Sequence, residues 1–215
     1  RTGFASRNCL LTVLILIGFT MLSIQGSSQS SGTKSFTVVI DAGHGGKDPG
    51  AVGKNKYEKN IALAVAKKVG YYIDNRMSDV KVIYTRKTDV FIDLDVRADI
   101  ANKANADLFI SIHVDGVGTP NAYGTSTYVM GSTKNTSNLE LAKKENRVID
   151  LEKGSNEKYM SFDPNNPEFE ILLTAYQNAF LEQSLDMASR VQDQFRTRAK
   201  RRDRGVHPAP FLVLW

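Results

Sequence analysis

The stretch at residues 38–51, VVIDAGHGGKDPGA, constrains the fold more than any other part of this chain. A β-branched apolar run ends in Asp41, and a lone histidine, His44, then lies among four glycines. An uninterrupted apolar run of this kind predicts a buried strand. Glycine is used where the backbone must bend sharply or come close to another group. The turn is therefore predicted to present His44 at the end of a strand.

Patterns typical of strands and helices alternate after this turn. Residues 57–76 predict a helix whose buried stripe comprises Ile61, Val65, Val69, Tyr72 and Ile73. A second helix is predicted at residues 93–104, and strands at residues 36–40, 80–85, 107–113 and 124–130. Such alternation predicts an α/β fold, a single domain whose mostly parallel (mixed) twisted sheet is flanked by helices.

The second half of the chain is predicted to carry a helical insertion before the last strands. Residues 138–152 follow a charged helical pattern, residues 153–167 are rich in turn formers, and residues 168–204 follow a long helical pattern. The long pattern ends in RTRAKRRDR, typical of a solvated helical terminus, with contact to a wall polymer as the less favoured alternative. APFLVLW, at residues 209–215, predicts a final core strand.

Residues 1–35 are predicted to be an export signal or anchor followed by a linker. Arg1 and Arg7 precede the apolar core LLTVLILIGFTMLSI, and a Ser/Gly-rich stretch follows, as in a secretory signal peptide or a retained anchor. The only cysteine, Cys9, lies in this segment, so the exported domain at residues 36–215 is predicted to contain no disulfide.

The charge balance is a weaker constraint. The chain has 28 Lys and Arg against 23 Asp and Glu, a net charge of +5, which suits an anionic polymer or surface without requiring one. No pattern typical of a nucleic-acid-reading helix or an aromatic-rich binding strand is recognisable, so nucleic acid is not an expected partner.

The sequence contains three histidines, His44, His113 and His207. The first two follow predicted strands, and ligands of open α/β sheets collect outside the carboxyl ends of the strands. Glu58 begins the helix after the glycine turn. Two histidines and one carboxylate are the ligand set of many catalytic zinc sites.

Simpler interpretations exist for each of these residues. The helix dipole alone favours a glutamate such as Glu58 in a first helical turn. His113 could accept one backbone hydrogen bond at its strand end. The glycine turn could cradle phosphate, although GHGGKDPG matches neither the dinucleotide fingerprint nor the P-loop. From the residues alone, a zinc site and a purely structural role both stay open.

Several separated motifs resemble the zinc-dependent N-acetylmuramoyl-L-alanine amidases of type 3. They are VVIDAGHGGKDPGAVG, YEKNIALAVAKKV and VIYTRKTDVFIDLDVRADIANKANADLFISIHVD, with a looser match through GVHPAPFLVL. The resemblance implies a peptidoglycan hydrolase of the bacterial periplasm or cell envelope, with Zn²⁺ held by His44, Glu58 and His113. It implies cleavage of the amide between N-acetylmuramic acid and the L-alanine of the stem peptide, in wall remodelling or daughter-cell separation. His207 matches no ligand position and is expected to be a surface or loop residue.

The resemblance also implies a catalytic carboxylate that this sequence does not include. In the family, the general base is a glutamate in a VELGF-like motif after the APFLVL segment, and the sequence ends at Trp215 before such a motif. We therefore expect a C-terminally truncated copy that binds zinc but hydrolyses little. A positioned acid or base contributes about 10²- to 10⁴-fold to rate.

Residues 138–184 resemble a regulatory insertion. In division-associated amidases an inserted helix here covers the zinc until an activator protein moves it, which implies that Glu140, Glu145 or Glu152 acts as an autoinhibitory plug. A helix that only packs on the sheet is the alternative.

Four further residues have smaller expected roles. Asp115 could orient His113, or be an exposed loop residue. Arg86, Asp89 and Arg97 match family positions and are expected to set loop geometry rather than to contact substrate.

Two competing functions stay open at this stage. A catalytically inactive wall-binding or regulatory module would retain the metal for structure, and the missing glutamate favours it for the chain as printed. A zinc peptidase is less favoured, although its sites also combine histidine with glutamate.

Overall fold

Strands and helices alternate in the folded chain, which confirms the predicted α/β class. The computed structural model describes residues 36–116, 123–159 and 167–214, and the predicted export segment lies outside them. In chain order the elements are β1 (Phe36–Ala42), β2 (Val52–Gly53), β3 (Lys56–Tyr57), α1 (Glu58–Arg76), β4 (Val80–Tyr84), α2 (Leu94–Lys103), β5 (Leu108–Ile112), β6 (Thr125–Met130), α3 (Thr136–Asn146), α4 (Ser155–Lys158), α5 (Pro167–Thr197) and β7 (Asp203–Ala209), with 3₁₀ turns at Arg147–Leu151 and Leu212–Leu214.

The central sheet has three parallel strands in the order β4-β1-β5. Val38 of β1 aligns with Val82 on one side and with Leu108 on the other. Because β1 lies between two partners and under α1, its side chains are almost entirely buried, as an uninterrupted apolar run requires. The carboxyl ends of β1 and β5 are therefore adjacent, and the turns after them meet at one edge of the sheet.

Two smaller sheets complete the strand pairing among the described residues. β6 and β7 pair in parallel, and β2 and β3 form a short antiparallel hairpin just before α1. The hairpin brings Glu58, the first residue of α1, back towards the glycine turn, since the backbone N–H of Glu58 donates to the carbonyl of Ala51 (2.9 Å). The hairpin is too short to have been visible in the apolar pattern.

The buried face of α1 differs from the predicted stripe. Ala62, Ala66 and Gly70 are buried against the sheet, whereas Val65 and Tyr72 are exposed. A Cβ at Gly70 would lie 1.7 Å from the hydroxyl oxygen of Tyr84 on β4. The helix therefore approaches the sheet through its small residues, and large side chains at the neighbouring positions are turned away from the core.

The end of the chain corrects two predictions. The long helix ends at Thr197, and most of the basic run forms the turn between α5 and β7. Gly205, with φ +95°, lies in the extended strand that follows. The predicted last strand is instead a 3₁₀ turn at Leu212–Leu214, whose Leu212 and Val213 pack against Leu94. A short apolar run does not distinguish a strand from a buried helical turn.

The predicted insertion is partly described. The charged helix is divided into α3 and the 3₁₀ turn at Arg147–Leu151, and the segment predicted as a loop contains the short helix α4. Within the described ranges, no helix is both long enough and apolar enough to cross a lipid bilayer.

Candidate metal centre

The glycine turn after β1 is shaped around two imidazole rings. His44 has a φ of 61°, and its neighbours Gly45 and Gly46 also have positive φ. A Cβ at Gly43 would lie 2.5 Å from Nε2 of His113, and one at Gly50 would lie 2.5 Å from Cδ2 of His44. The glycines therefore provide both the backbone conformation and the space that the two rings occupy.

Four side chains from four parts of the chain converge beside this turn. Nε2 of His44 lies 3.1 Å from Nδ1 of His113, which follows β5. Oε1 of Glu58, at the start of α1, lies 3.2 Å from each of these nitrogens. Oε2 of Glu145, on α3, lies 3.3 Å from the nitrogen of His44 and 3.4 Å from that of His113. The predicted ligands His44, Glu58 and His113 are thus brought together, and Glu145 joins them.

The spacing of these four donor atoms fits a tetrahedral Zn²⁺ ion. The edge of a tetrahedron is about 1.6 times its centre-to-corner distance, so zinc–ligand bonds of about 2.0–2.2 Å correspond to donor separations of about 3.3–3.6 Å. Five of the six separations between these donors range from 3.1 to 3.4 Å, at or slightly below these values. Imidazole nitrogen and carboxylate oxygen are zinc ligands, so both the chemistry and the spacing of the donors fit the metal.

Hydrogen bonds hold the donor atoms in these positions. Nδ1 of His44 lies 2.7 Å from Oδ2 of Asp48, an arrangement that directs Nε2 towards the cluster. The Glu58 carboxylate accepts from the backbone N–H of Ala51 (2.9 Å) and of Val114 (2.7 Å). Asp48 was not among the residues predicted from the sequence. Its only sequence signal was an acid four residues after His44 in a glycine-rich turn.

Comparison with known proteins gives the family of the chain. The sequence pattern of the N-acetylmuramoyl-L-alanine amidase family (Amidase_3) matches residues 38–215. The chain belongs to this amidase family. It is similar to AmiA of Escherichia coli, at 34% identity over 190 residues that cover 87% of this chain and 63% of AmiA. The chain therefore spans less than two thirds of that relative.

Solved amidase structures share the fold. An N-acetylmuramoyl-L-alanine amidase from Clostridium difficile is 27% identical and superimposes with a TM-score of 0.57, covering 84% of this chain and 73% of its own. The catalytic domain of the amidase CwlV from Bacillus (Paenibacillus) polymyxa is also 27% identical, with a TM-score of 0.50 over 83% of this chain and 73% of its own. The α/β architecture is therefore that of amidase catalytic domains.

The electrostatics of the four-residue cluster favour binding of a cation. Burial raises the pKa of Glu58 and of Glu145, but hydrogen bonds with His113 and His44 outweigh it and hold both values well below the usual range. Burial lowers the pKa of His44, yet contacts with Asp48, Glu145 and Glu58 raise it to about 11. Once a cation has replaced the imidazole protons, the two ionised carboxylates carry two negative charges, which one divalent cation balances.

Protons compete with that cation for the imidazole nitrogens. Burial lowers the pKa of His113, but Glu145 and Glu58 raise it to about 9. Since a zinc ligand must be a neutral imidazole, metal binding at this cluster releases protons.

A buried ion pair between Asp41 and Arg97 stabilises the glycine turn. Asp41, at the end of β1, accepts from Nη1 of Arg97 (2.8 Å), from Oγ1 of Thr85 (2.6 Å) and from Oγ of Ser111 (2.6 Å). Nη2 of Arg97 also donates to the backbone carbonyl of His44 (2.9 Å). Burial raises the pKa of Asp41, but Arg97 and the two hydroxyl groups together lower it below its ordinary value.

Arg86 and Asp89 also contact the glycine turn. Arg86 donates to the backbone carbonyls of Ala42 (2.8 Å) and Gly43 (2.7 Å). Oδ1 of Asp89 accepts from the backbone N–H of Gly46 (2.7 Å). With Arg97, these residues set the geometry of the loop that carries His44.

The other predicted site residues lie elsewhere. Glu140 is exposed on α3 and pairs with Lys143, and His207 lies on β7 with its Nε2 against the carbonyl of Arg204. Glu152 is buried, but its carboxylate contacts the start of α2 rather than the imidazoles. Asp115 is exposed and, within the described ranges, forms no hydrogen bond with His113, so no contact supports the orienting role.

Proposed function

We propose that this chain is a zinc-dependent peptidoglycan hydrolase that cleaves the amide between N-acetylmuramic acid and the L-alanine of the stem peptide. The observation that carries the proposal is the convergence of His44, Glu58 and His113, at tetrahedral spacing, in a chain of the amidase family. Zn²⁺ bound there would lower the pKa of a bound water towards about 7 and polarise the scissile carbonyl.

The residues of the chain have separate tasks in this proposal. His44, Glu58 and His113 hold the metal and leave one tetrahedral position for water or substrate. Asp48 accepts the Nδ1 proton of His44, which keeps the Nε2 lone pair directed at the metal. The group that accepts the proton of the water remains a prediction from the resemblance. It would be a glutamate in a VELGF-like motif.

Glu145 is proposed to close the site in the resting protein. Its Oε2 lies at the fourth corner of the donor set, where a catalytic zinc keeps an open position for water. Its side chain is only 10% exposed, so α3 covers part of the cluster, in which the His113 side chain stays 28% exposed. The insertion at residues 138–184 would therefore act as an autoinhibitory element, and an activator protein that displaces α3 would open the site.

The proposed place of action is the cell envelope of a bacterium, where peptidoglycan is the substrate. The predicted export segment at residues 1–35 is consistent with this place. Wall remodelling or daughter-cell separation is the proposed process.

Digestion of purified peptidoglycan by the full-length gene product tests the reaction. Mass spectrometry should detect intact stem peptides with a free L-alanine amino terminus, and glycan strands stripped of peptide. Fragments cut within the stem peptide would instead indicate a zinc peptidase. Bound zinc without any product, even after removal of the Glu145 carboxylate, would indicate an inactive module. A His113→Ala variant serves as the metal-deficient control.

A further inference from the structure

The chain after Glu145 is attached to the start of α2 by two side chains, the buried Glu152 and the half-buried Tyr159. Oε1 of Glu152 accepts from the backbone N–H of Leu94 (2.8 Å). The hydroxyl of Tyr159 accepts from the backbone N–H of Asp95 (3.1 Å) and donates to Oε2 of Glu152 (2.7 Å). We call this arrangement the Glu152–Tyr159 clasp.

The clasp completes the first turn of α2. The N-cap residue Asp93 makes no side-chain capping hydrogen bond, so the free N–H groups of Leu94 and Asp95 take their partners from Glu152 and Tyr159. A carboxylate near a helix N-terminus is also favoured by the helix dipole. The first turn of α2 and the segment that carries Glu152 and Tyr159 therefore stabilise each other.

The charge and burial of the clasp make it a strong attachment. The carboxylate of Glu152 is fully enclosed, and Nζ of Lys158 lies 4.0 Å from it while pairing with Asp93 (2.8 Å) and Asp95 (3.2 Å). Burial and the adjacent Glu152 carboxylate raise the pKa of Tyr159, so its hydroxyl stays protonated and can donate. Hydrogen bonds to an ionised, buried carboxylate are roughly twice as strong as neutral ones.

Two other polar attachments of this segment, which also packs Val148 and Ile149 against Leu94, are weaker by the same criterion. The side-chain amide of Asn146 donates to the carbonyl of Pro210 and accepts from the N–H of Leu212, both at 3.0 Å and between neutral partners. Lys47 donates to the carbonyl of Leu151, but this contact is exposed to solvent.

The same turn of α2 also contacts the glycine turn that carries His44. Arg97, the fourth residue of α2, donates from its backbone N–H to the carbonyl of Asp93 (3.1 Å). Its guanidinium donates to the carbonyl of His44 (2.9 Å) and to the carboxylate of Asp41 (2.8 Å). The clasp and the glycine turn are therefore attached to one helical turn, from its two sides.

We propose that Glu152 and Tyr159 are positioning residues whose clasp keeps α3, and with it Glu145, against the two imidazoles. Opening of the clasp lets Glu145 withdraw, and it also frees the helical turn that Arg97 joins to His44. The proposal rests on the proposed function only in taking Glu145 to be the group that blocks the metal. Glu152, expected to be a plug, acts instead through the segment that carries the plug.

Amide hydrogen exchange of the full chain tests the clasp without any catalytic step. Tyr159→Phe removes only the hydroxyl, and Glu152→Gln removes the charge while keeping one acceptor for Leu94. Each should speed exchange across residues 136–151 by about tenfold, because these amides exchange through local opening of the segment. Glu140→Gln, an exposed change on α3, is the matched control and should leave the rates within about twofold.

A second measurement links the clasp to the metal. In both clasp variants loaded with Zn²⁺, a chelator should remove the ion about three- to tenfold faster than from the control, since Glu145 leaves the cluster more often. Unchanged exchange at residues 136–151, or faster exchange confined to residues 94–103, would overturn the proposal. Amide hydrogen exchange requires neither zinc nor turnover. The exchange result could therefore still be interpreted if the proposed amidase activity were not found.

Discussion

Nε2 of His44 lies 3.1 Å from Nδ1 of His113, although 69 positions separate the two residues in the chain. The parallel pairing of β1 with β5 causes this approach, because it places the residues that follow the two strands at the same edge of the sheet. Gly43 leaves room for the ring of His113. The two imidazole rings are therefore close because β1 and β5 are neighbours and because Gly43 has no side chain.

Enlarging Gly43 should disturb the metal cluster. Gly43→Ala places a Cβ 2.5 Å from the His113 ring, so the ring must move away from His44 and Glu58. We expect zinc affinity to fall by about tenfold or more, measured by competition with a chromogenic chelator. Gly53→Ala is the matched control, because its Cβ would meet nothing closer than 3.6 Å. Equal affinities in the two variants would contradict the role given to Gly43.

Removing a proposed ligand should abolish stoichiometric zinc binding. His113→Ala leaves Glu58 and His44 without their third partner. We expect the loss to exceed the about 10- to 100-fold typical of groups that only orient ligands. Metal analysis after dialysis measures it. His207→Ala, on β7 and outside the cluster, should retain one zinc per chain. Retention of zinc by His113→Ala would contradict the assignment of His113.

Asp48 should affect zinc binding through its contact with His44. Asp48→Ala removes the acceptor at 2.7 Å from Nδ1, so the ring loses its preferred tautomer and orientation. We expect zinc affinity to fall by about 10- to 100-fold while one ion still binds at saturation. Calorimetric titration separates this result from a loss of stoichiometry, which would instead make Asp48 a ligand.

Truncating Glu145 should open the site. Glu145→Ala removes the carboxylate that lies 3.3 Å from Nε2 of His44, which leaves a tetrahedral position free for water. In the full-length gene product, peptidoglycan cleavage should rise by about tenfold while zinc affinity decreases modestly. Glu140→Ala, on the exposed side of the same helix, should change neither. Lower cleavage in Glu145→Ala would argue that this carboxylate assists the reaction instead of blocking it.

The buried pair of Asp41 and Arg97 should contribute to the acid sensitivity of the fold. Breaking such a pair costs about 3–5 kcal/mol, and Asp41→Asn should lower the free energy of unfolding by about that amount at pH 7. The pKa of Asp41 is lowered in the folded protein, so its stabilisation is present above the unfolded value of about 3.9 and is lost as pH falls through the lower folded value.

Urea unfolding at several pH values checks this sign. The difference between the parent chain and Asp41→Asn should be constant from pH 7 to about pH 5 and should shrink below about pH 4. Asp99→Asn, which breaks the exposed pair with Lys103, should cost less than about 1 kcal/mol at every pH. A difference that grows on acidification would contradict the lowered pKa.

The contrast between Glu140, Glu145 and Glu152 shows where sequence reasoning stops. All three occupy one predicted helix, and the pattern does not decide which of them faces the metal. In the structure α3 ends at Asn146, and a 3₁₀ turn follows. That break rotates Glu152 away from the imidazoles and towards α2. Helical phase beyond such a break depends on contacts with distant parts of the chain.

Local patterns by themselves determined the buried strand β1, the glycine turn that presents His44, the alternation of strands and helices, and, with the family motifs, the three predicted ligands. These features depend on residue type over short spans, where backbone sterics and apolar periodicity act directly. Only the tertiary structure decided which face of α1 is buried, that the last apolar run is a 3₁₀ turn, and that Glu145 meets the histidines while Glu152 caps α2. Those outcomes depend on which distant surfaces exclude water together, and no local pattern contains that information.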